Sequence, residues 1–300
     1  MDRQIVEISQ DGYALSLYRG FLHLENKDIK NDIALDNILS LVLSAHDIFL
    51  SKNIINALSE QGASIICCGK DYLPTSITMP YVGHWLVAPR VRAQIEASKP
   101  LQKQLWKSIV QHKIANQSIV LSECVSSSPH ILRLQQLSKE TLSDDSTNTE
   151  GLAAAIYFKA LFGKEFVRER LNPDINMLLN YVYIVLRAIV ARAVAGAGLF
   201  PYLGIKHRSK TNTLPLIDDL MEPFRPLADK LVFDLSQNID LKQLELTPDI
   251  KRYLAQIITV QMQTLKGRIP LNEAVCEFVN TLVQSFEEER VLLRYPDIIL

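Results

Sequence analysis

One histidine and one glutamate, fifteen residues apart, lie beside a segment that is otherwise basic. His207 closes the run Gly-Leu-Phe-Pro-Tyr-Leu-Gly-Ile-Lys-His of residues 198–207, and Glu222 lies in the run Asp-Leu-Met-Glu-Pro-Phe-Arg-Pro of residues 219–226. No Asp or Glu occurs between positions 174 and 218. The basic residues within that stretch are Arg187, Arg192, Lys206, Arg208 and Lys210.

A third side chain of the same chemistry, Glu150, lies upstream at the head of a predicted helix. Mg²⁺ and Mn²⁺ prefer hard oxygen ligands, and Mn²⁺ also accepts an imidazole nitrogen. Two carboxylates and one imidazole leave positions open for water and for substrate oxygens. Within a basic surround, this set predicts a divalent-metal enzyme that transfers phosphoryl groups of DNA, with Glu150, His207 and Glu222 as candidate ligands.

Taken singly, each residue also has an ordinary structural interpretation. A carboxylate in the first turn of a helix, as at Glu150, is favoured by the helix dipole. His207 fits an exposed surface histidine. Asp219 and Glu222 follow two apolar residues at a spacing typical of a helix with one solvent-exposed face.

Length and composition indicate a globular protein of two domains. The chain has 300 residues, 48% of them hydrophobic and 22% charged, and its net charge is -1. A DNA-binding function therefore requires a local basic patch, since the average charge supplies none. The apolar window 177–200 contains Asn180, Arg187 and Arg192, and it predicts a buried helix with no membrane span. The absence of a signal peptide and of any C-x-x-C pair among the four cysteines predicts a reduced, cytoplasmic protein.

The N-terminal part is predicted to be β-rich. Apolar and polar residues alternate in several short runs, as in strands. The pairs Asp11-Gly12 and Arg19-Gly20 interrupt these runs, and we interpret them as hairpin turns. One helix is expected at residues 52–61. The predicted strands are 4–9, 13–18, 21–25, 38–43 and 63–68.

A stretch rich in proline separates this part from a helical remainder. We predict an α+β protein: a β-rich dimerisation domain at residues 1–78, a linker at 79–90 and an all-α catalytic domain at 91–300. The predicted helices are 91–116 with a break at Pro100, 129–142, 149–163, 174–195, 247–265 and 271–294.

Four blocks in a fixed order resemble one protein family. They are Glu-Gly followed by small residues and Tyr-Phe at 150–158, Asn-x-x-Leu-Asn-Tyr at 176–181, Gly-Leu-x-Pro-x-x-Gly-x-x-His at 198–207, and Asp-Leu-Met-Glu-Pro-Phe-Arg-Pro at 219–226. Together they make the chain similar to the CRISPR-associated integrases of the Cas-one family. The β-rich first domain and helical second domain agree with that family.

The resemblance implies that Glu150, His207 and Glu222 ligate Mg²⁺ or Mn²⁺ and form the catalytic centre. It implies an integration reaction in which 3'-hydroxyl ends of a short DNA duplex attack phosphodiesters of the CRISPR repeat. Asp219 is expected to support the site, and Arg225 to buttress a carboxylate or touch phosphate. The candidate DNA contacts are Lys206, Arg208, Lys210 and Arg225.

The resemblance also implies partners. Family members form homodimers through the β-rich domain, and a small Cas-two protein bridges two dimers. The compact length resembles the branch found with type II systems, so other type II adaptation proteins are expected partners as well. Two alternatives stay open: a metal-dependent nuclease without integration activity, and a helical scaffold that binds DNA without catalysis.

Overall fold

The computed structural model describes residues 4–69, 74–78, 86–125, 128–169, 174–207, 214–241 and 244–299. Strands dominate the first part of the chain and helices dominate the remainder, as the sequence predicts. The α+β class is therefore confirmed.

Two four-stranded sheets and one helix make up the N-terminal part. The strand orders are β1-β5-β7-β8, in which the first three strands are parallel, and β4-β3-β2-β6. Apolar side chains of both sheets and of the helix enclose one core, which contains Leu15, Leu22, Ile38, Ile54 and Leu58. The elements are β1 (Gln4–Ile8), β2 (Tyr13–Tyr18), β3 (Phe21–Glu25), β4 (Lys30–Ala34), β5 (Ile38–Leu43), β6 (Ile48–Leu50), α1 (Lys52–Glu60), β7 (Ser64–Cys68) and β8 (Pro74–Thr78).

Only one of the two predicted hairpin turns joins paired strands. Arg19 and Gly20 both have positive φ angles, 48° and 84°, and they connect the antiparallel strands β2 and β3 as a tight hairpin requires. The hairpin prediction at Asp11-Gly12 is wrong, because β1 and β2 belong to different sheets. There the Asp11 carboxylate accepts the backbone N–H groups of His46 and Asp47, which fixes a crossing between the sheets.

The C-terminal part packs around one buried helix, α6, which contacts the four helices that follow it and also strands β5 and β7. Its length and composition would allow it to cross a membrane, but 78% of its most apolar window is buried inside the protein, so it is a core helix. The helices are α2 (Val87–Glu96), α3 (Lys99–Cys124), α4 (His130–Glu140), α5 (Thr149–Phe162), α6 (Ile175–Gly196), α7 (Pro215–Met221), α8 (Arg225–Ser236), α9 (Pro248–Ala255) and α10 (Leu271–Glu287).

The predicted linker overlaps a helix. Residues 79–85 lie outside the described part of the chain, and α2 begins at Val87, inside the predicted range 79–90. Pro89 falls in the first turn of α2, where proline is tolerated because the backbone N–H has no helical partner. One of the prolines that suggested a linker is thus part of a helix start.

The prediction of a helix over 247–265 is wrong in its second half. Helix α9 ends at Ala255, and after a 3₁₀ turn (Gln256–Thr259) the chain forms β9 (Gln261–Thr264) and β10 (Gly267–Pro270). Gly267 has a φ of 113°, which allows the tight return between the two strands. A short β11 (Asp297–Ile298) pairs with β9, so a three-stranded sheet lies within the helical domain, and α10 ends seven residues earlier than predicted, at Glu287.

Candidate active site

Glu150 lies in the first turn of α5. The Asp145 carboxylate accepts the backbone N–H groups of Thr149 at 2.8 Å and of Glu150 at 3.2 Å, which satisfies two of the free donors at this helix end. Gly151 follows because a Cβ there would lie only 2.6 Å from the Asn148 side chain. The Glu-Gly pair of the sequence therefore reflects a tight approach of the preceding loop to the helix start.

His207 is held by a buried carboxylate across the loop that follows α6. Its Nδ1–H donates to Asp219 Oδ1 at 2.5 Å, and Asp219 Oδ2 accepts the backbone N–H groups of Ile205 and Lys206. Gly204 is required here, since a Cβ would lie 2.6 Å from the His207 backbone oxygen and 3.0 Å from Asp219 Oδ2. This arrangement leaves Nε2 of His207 available, and the side chain is 41% exposed.

Glu222 begins a 3₁₀ turn (Glu222–Phe224) between α7 and α8. Its Oε1 accepts from Arg225 Nε at 2.8 Å, and the Asn116 amide of α3 donates to the Pro223 backbone oxygen at 2.8 Å, which anchors the turn. The prediction of a solvent-exposed helix face at Asp219 and Glu222 is wrong, because both side chains are buried. Of the two contacts expected for Arg225, a carboxylate or a phosphate, the structure shows the carboxylate contact, with Glu222.

Lys113 of α3 joins the two glutamates. Its Nζ lies 2.5 Å from Glu150 Oε1 and 2.5 Å from Glu222 Oε2. Glu222 Oε2 is fully buried and has no partner at hydrogen-bonding angles, so its contact with the ammonium is an ion pair without hydrogen-bond alignment. Glu150 and Glu222, which lie 37 and 109 positions after Lys113 along the chain, therefore meet at its positive charge.

The charges at this cluster are mutually stabilised. Burial by itself raises the pKa of Glu222, but Arg225 and Lys113 outweigh it and lower that pKa to about 2. For Lys113, burial lowers the pKa, and the charges of Glu222 and Glu150 outweigh that effect and raise it. The hydrogen bond to Asp219 raises the pKa of His207, and the charges of Asp219, Glu222 and Glu150 add to that effect. The charges of Glu150 and Glu222 therefore influence both Lys113 and His207, so the three candidate residues are electrostatically coupled.

A second layer of buried contacts supports Arg225. Its guanidinium lies over the Tyr183 ring, 4.6 Å from the centroid, and the Tyr183 hydroxyl donates to Asp229. Burial raises the pKa of Asp229 to about 6. Arg168 lies on the same ring at 5.4 Å and donates to Asn176 and Asn180 of α6. Tyr183 thereby holds Arg225, and through it Glu222, against the core helix.

The donor set suits a divalent cation. Two carboxylates already share one positive charge, one of their oxygens is buried without hydrogen-bond alignment, and an imidazole with a free nitrogen lies within electrostatic range. Among the described residues, no three His, Cys, Asp or Glu side chains are gathered closely enough to hold a metal ion as they stand. Between the two glutamates lies the Lys113 ammonium, which takes the place of a cation there.

The basic run of the sequence does not form an unpaired basic patch where it is described. Arg187 Nε donates to Asp218 at 2.8 Å, and Lys206 Nζ contacts Asp144 at 2.9 Å, so acidic residues from outside the run neutralise both. Arg208 and Lys210 lie outside the described residues. The expectation of a positive surround therefore fails for Arg187 and Lys206, since an acid-free sequence need not be acid-free in space.

A cavity of about 430 Å³ opens beside His207. It lies between α2, the loop before His207 and the end of α10, and its lining includes Gln94, Tyr202 and Phe286. The Gln94 amide donates to the backbone oxygens of Phe200 and Leu203 and fixes this loop. Of the three candidate ligands, His207 is the one that lines this cavity.

Sequence reasoning missed Lys113 and Asn116, the two site residues supplied by α3. Both lie on the buried side of a helix whose apolar residues recur at helical spacing. A lysine and an asparagine that continue an apolar stripe are the signal that could have found them, because such groups are rarely buried without a partner. Trp106 belongs to the same stripe and packs edge-on against the His207 ring, with centroids 5.4 Å apart.

Comparison with known proteins gives a consistent set of relatives. The sequence model of the family described as "CRISPR associated protein Cas1" matches residues 6–256. The CRISPR-associated endonuclease Cas1 of Neisseria meningitidis serogroup C (strain 8013) is 35% identical over 291 residues, which covers 97% of this chain and 95% of that protein. The CRISPR-associated endonuclease Cas1 1 of Francisella tularensis subsp. novicida (strain U112) is 28% identical, with 79% and 80% covered.

Solved structures share the fold. A casposase bound to its integration product superposes with a TM-score of 0.81 at 18% identity, covering 98% of this chain and 92% of the casposase. A Cas1 protein of Thermotoga maritima gives a TM-score of 0.74 at 17% identity, with 97% and 99% covered. The sequence match across most of the chain and the 35% identical relative leave one assignment: the chain belongs to the CRISPR-associated Cas1 family.

Proposed function

We propose that the chain is a metal-dependent DNA integrase and endonuclease of CRISPR adaptation, which inserts short DNA duplexes into the repeat array by transesterification. The observation that carries the proposal is that the carboxylates of Glu150 and Glu222 both contact one positive charge, the Lys113 ammonium. The free nitrogen of His207 lies within electrostatic range of them. Mg²⁺ and Mn²⁺ both suit this donor set.

The residues of the chain have separate tasks in this proposal. Asp219 holds the Nδ1 proton of His207, so that Nε2 faces the site as a lone-pair donor. Arg225 fixes the orientation of Glu222 through Oε1 and leaves Oε2 for a second contact. We propose that the 3' end of a DNA strand approaches the site past His207, which lines a cavity of the protein.

A bound divalent cation supplies Lewis-acid chemistry at such a site, namely activation of the attacking hydroxyl and neutralisation of charge on the scissile phosphate. The 3'-hydroxyl attacks the phosphorus, one phosphodiester bond forms and one breaks, and the leaving 3'-oxygen takes up a proton. With water as the nucleophile, the same site hydrolyses the phosphodiester. One centre can therefore carry out both the endonuclease and the integrase reaction.

Relatives support the substrate and the partners. One solved relative is a casposase bound to an integration product, another is a Cas1–DNA complex, and a third is a Cas6-RT-Cas1–Cas2 complex. We propose that this chain likewise acts on a short duplex and a CRISPR repeat, as a homodimer paired through the β-rich domain and bridged by a Cas2-type protein. The 35% identical Neisseria relative is consistent with the proposed type II setting and further adaptation partners from such a system.

The direct test combines the purified chain and its Cas2-type partner with a repeat-bearing supercoiled plasmid and a short duplex ending in 3'-hydroxyls. We expect joined products with Mg²⁺ or Mn²⁺ and none with a chelator. Glu222→Gln should reduce joining at least about a hundredfold, because one anionic ligand is lost, while duplex binding persists.

Glu140→Gln is the matched control, since Glu140 is exposed and pairs with Arg133 at the surface of α4. It should join DNA like the wild type. Cleavage without joining would support the alternative of a nuclease outside integration. Full joining by Glu222→Gln would overturn the assignment of Glu222 to the catalytic centre, and duplex binding by the wild type without joining or cleavage would favour the non-catalytic scaffold.

A further inference from the structure

Lys113 places a buried ammonium between the two carboxylates that the proposed function treats as metal ligands. We infer that this ammonium is an internal counter-cation that occupies the metal-free site and is displaced when a divalent cation binds, so that Lys113 sets the metal affinity. The inference rests on the proposed function, because it takes Glu150 and Glu222 as the ligands.

The distances make the two cations competitors. Nζ lies 2.5 Å from one oxygen of each glutamate. A divalent cation held by the same oxygens at about 2.1 Å cannot lie farther than about 5 Å from Nζ. Like charges at that separation repel strongly in a site shielded from water. One of them therefore has to move, or the divalent cation binds weakly.

Lys113 is the positive group at this site that is able to move. Arg225 is held at Glu222 Oε1 by a hydrogen bond and on the Tyr183 ring by stacking. Lys113 donates one hydrogen bond, to Glu150 Oε1 at 2.5 Å, but it carries its charge on a flexible four-carbon stem, and its contact with Glu222 Oε2 lacks hydrogen-bond alignment. Its hold on that oxygen is electrostatic, and a divalent cation provides the same attraction with twice the charge.

Burial explains why the metal-free protein needs this lysine. The side chains of Lys113, Glu150 and Glu222 are only 10%, 23% and 6% exposed. Without Lys113, Arg225 would balance one of the two glutamate charges, and an uncompensated negative charge in a buried site destabilises a fold strongly. Lys113 balances that charge when no metal is bound. Because its ammonium competes for the same oxygens, it lowers the affinity of the site for a divalent cation.

The test measures Mn²⁺ binding and thermal unfolding of the full chain without DNA. Lys113→Met keeps the length of the side chain and removes its charge. We expect the dissociation constant for Mn²⁺, measured by titration calorimetry, to fall at least about tenfold. The metal-free variant should unfold at a temperature lower by about 5 °C or more, and Mn²⁺ should raise that temperature more than it does for the wild type.

Lys251→Met is the matched control. Lys251 forms an ion pair with Glu7, a residue outside the proposed ligand set, and both side chains are 12% exposed. Its loss should also lower the unfolding temperature, but it should leave the affinity for Mn²⁺ unchanged and give no additional rescue by Mn²⁺. Lys113→Arg, which keeps the charge, should bind Mn²⁺ about as the wild type does.

The outcomes separate this inference from the proposed function. If Glu222→Gln binds Mn²⁺ as the wild type does, the chain has no metal site at these glutamates, and both ideas fail. If Glu222→Gln abolishes binding while Lys113→Met leaves it unchanged or weaker, the metal site stands and the counter-cation is refuted. Should Lys113→Met not fold, Lys113→Gln carries the same test with the same two readings.

Discussion

Asp219 is the residue whose role the structure defines most sharply. Its carboxylate is fully buried, yet it accepts from the His207 ring and from three successive backbone N–H groups, those of Ile205, Lys206 and His207. These donors use the carboxylate oxygens, so Asp219 acts on the site through His207. Its neighbour Asp218 points elsewhere and pairs with Arg187.

Asp219→Asn should therefore weaken Mn²⁺ binding by about 10- to 100-fold, the range seen when a group that orients a histidine ligand is lost. The amide has one acceptor oxygen instead of two, so it cannot serve both the ring and the loop. Titration calorimetry measures the effect. Asp218→Asn is the adjacent control and should leave Mn²⁺ affinity unchanged; equal losses in both variants would contradict the orienting role of Asp219.

At the scale of elements, the start of α5 is built to aim Glu150. Asp144, Asp145 and Asn148 all have positive φ angles, 62°, 47° and 53°, although none is glycine. Asp and Asn tolerate this region better than most residues do. The loop they form delivers the Asp145 carboxylate to the helix N-terminus and ties Asp144 to Lys206, next to His207. The loop thus links the segments that carry two of the three candidate ligands.

Asp145→Ala should cost about 1–2 kcal/mol of unfolding free energy, because two helical N–H groups lose their acceptor. It should also lower DNA joining, since the first turn that carries Glu150 frays. Urea unfolding and the joining assay measure the two effects. Asp144→Ala removes an exposed ion pair instead and should cost at most about 1 kcal/mol. A stable Asp145→Ala protein would show that α5 needs no such cap.

At the scale of the whole molecule, Glu7 joins the β-rich part to the helical part. From β1 it accepts the Tyr181 hydroxyl of α6 at 2.5 Å and the Lys251 ammonium of α9 at 2.8 Å, and Ser44 also donates to it. These groups are 174 and 244 positions away from Glu7 along the chain. A single carboxylate, 12% exposed, therefore connects β1 to two helices of the C-terminal part.

Glu7→Gln should lower the free energy of unfolding by about 3–5 kcal/mol, because it leaves Lys251 buried without its anionic partner. The double variant Glu7→Gln, Lys251→Met should lose less than the sum of the single variants. A coupling of about 0.5–3 kcal/mol is expected for residues in direct contact. Strict additivity in urea unfolding would show that the two groups do not depend on each other.

Local sequence signals predicted the elements whose causes are local. Helix α5 begins at Thr149 and α6 runs to Gly196 as expected, because caps and apolar periodicity lie within the segments themselves. Arg19-Gly20 predicted its hairpin for the same reason. The sheet crossing at Asp11 was missed because it depends on partners distant in sequence, the backbone of His46 and Asp47. The strand of 261–264 forms a hairpin with the adjacent β10 and also pairs with the distant β11, and the predicted helix was extended across it.

The family, the order of a β-rich and a helical part, and the chemical types of three candidate ligands follow from the sequence alone, since motifs and periodicity are properties of neighbouring residues. The packing of the folded chain brings Lys113 to both Glu150 and Glu222, brings Asp219 to His207, and pairs Arg187 and Lys206 with acidic residues. Charge balance in a buried site is set by which side chains meet in space. That meeting depends on how α3, α5 and the turn after α7 pack together, which no local pattern encodes.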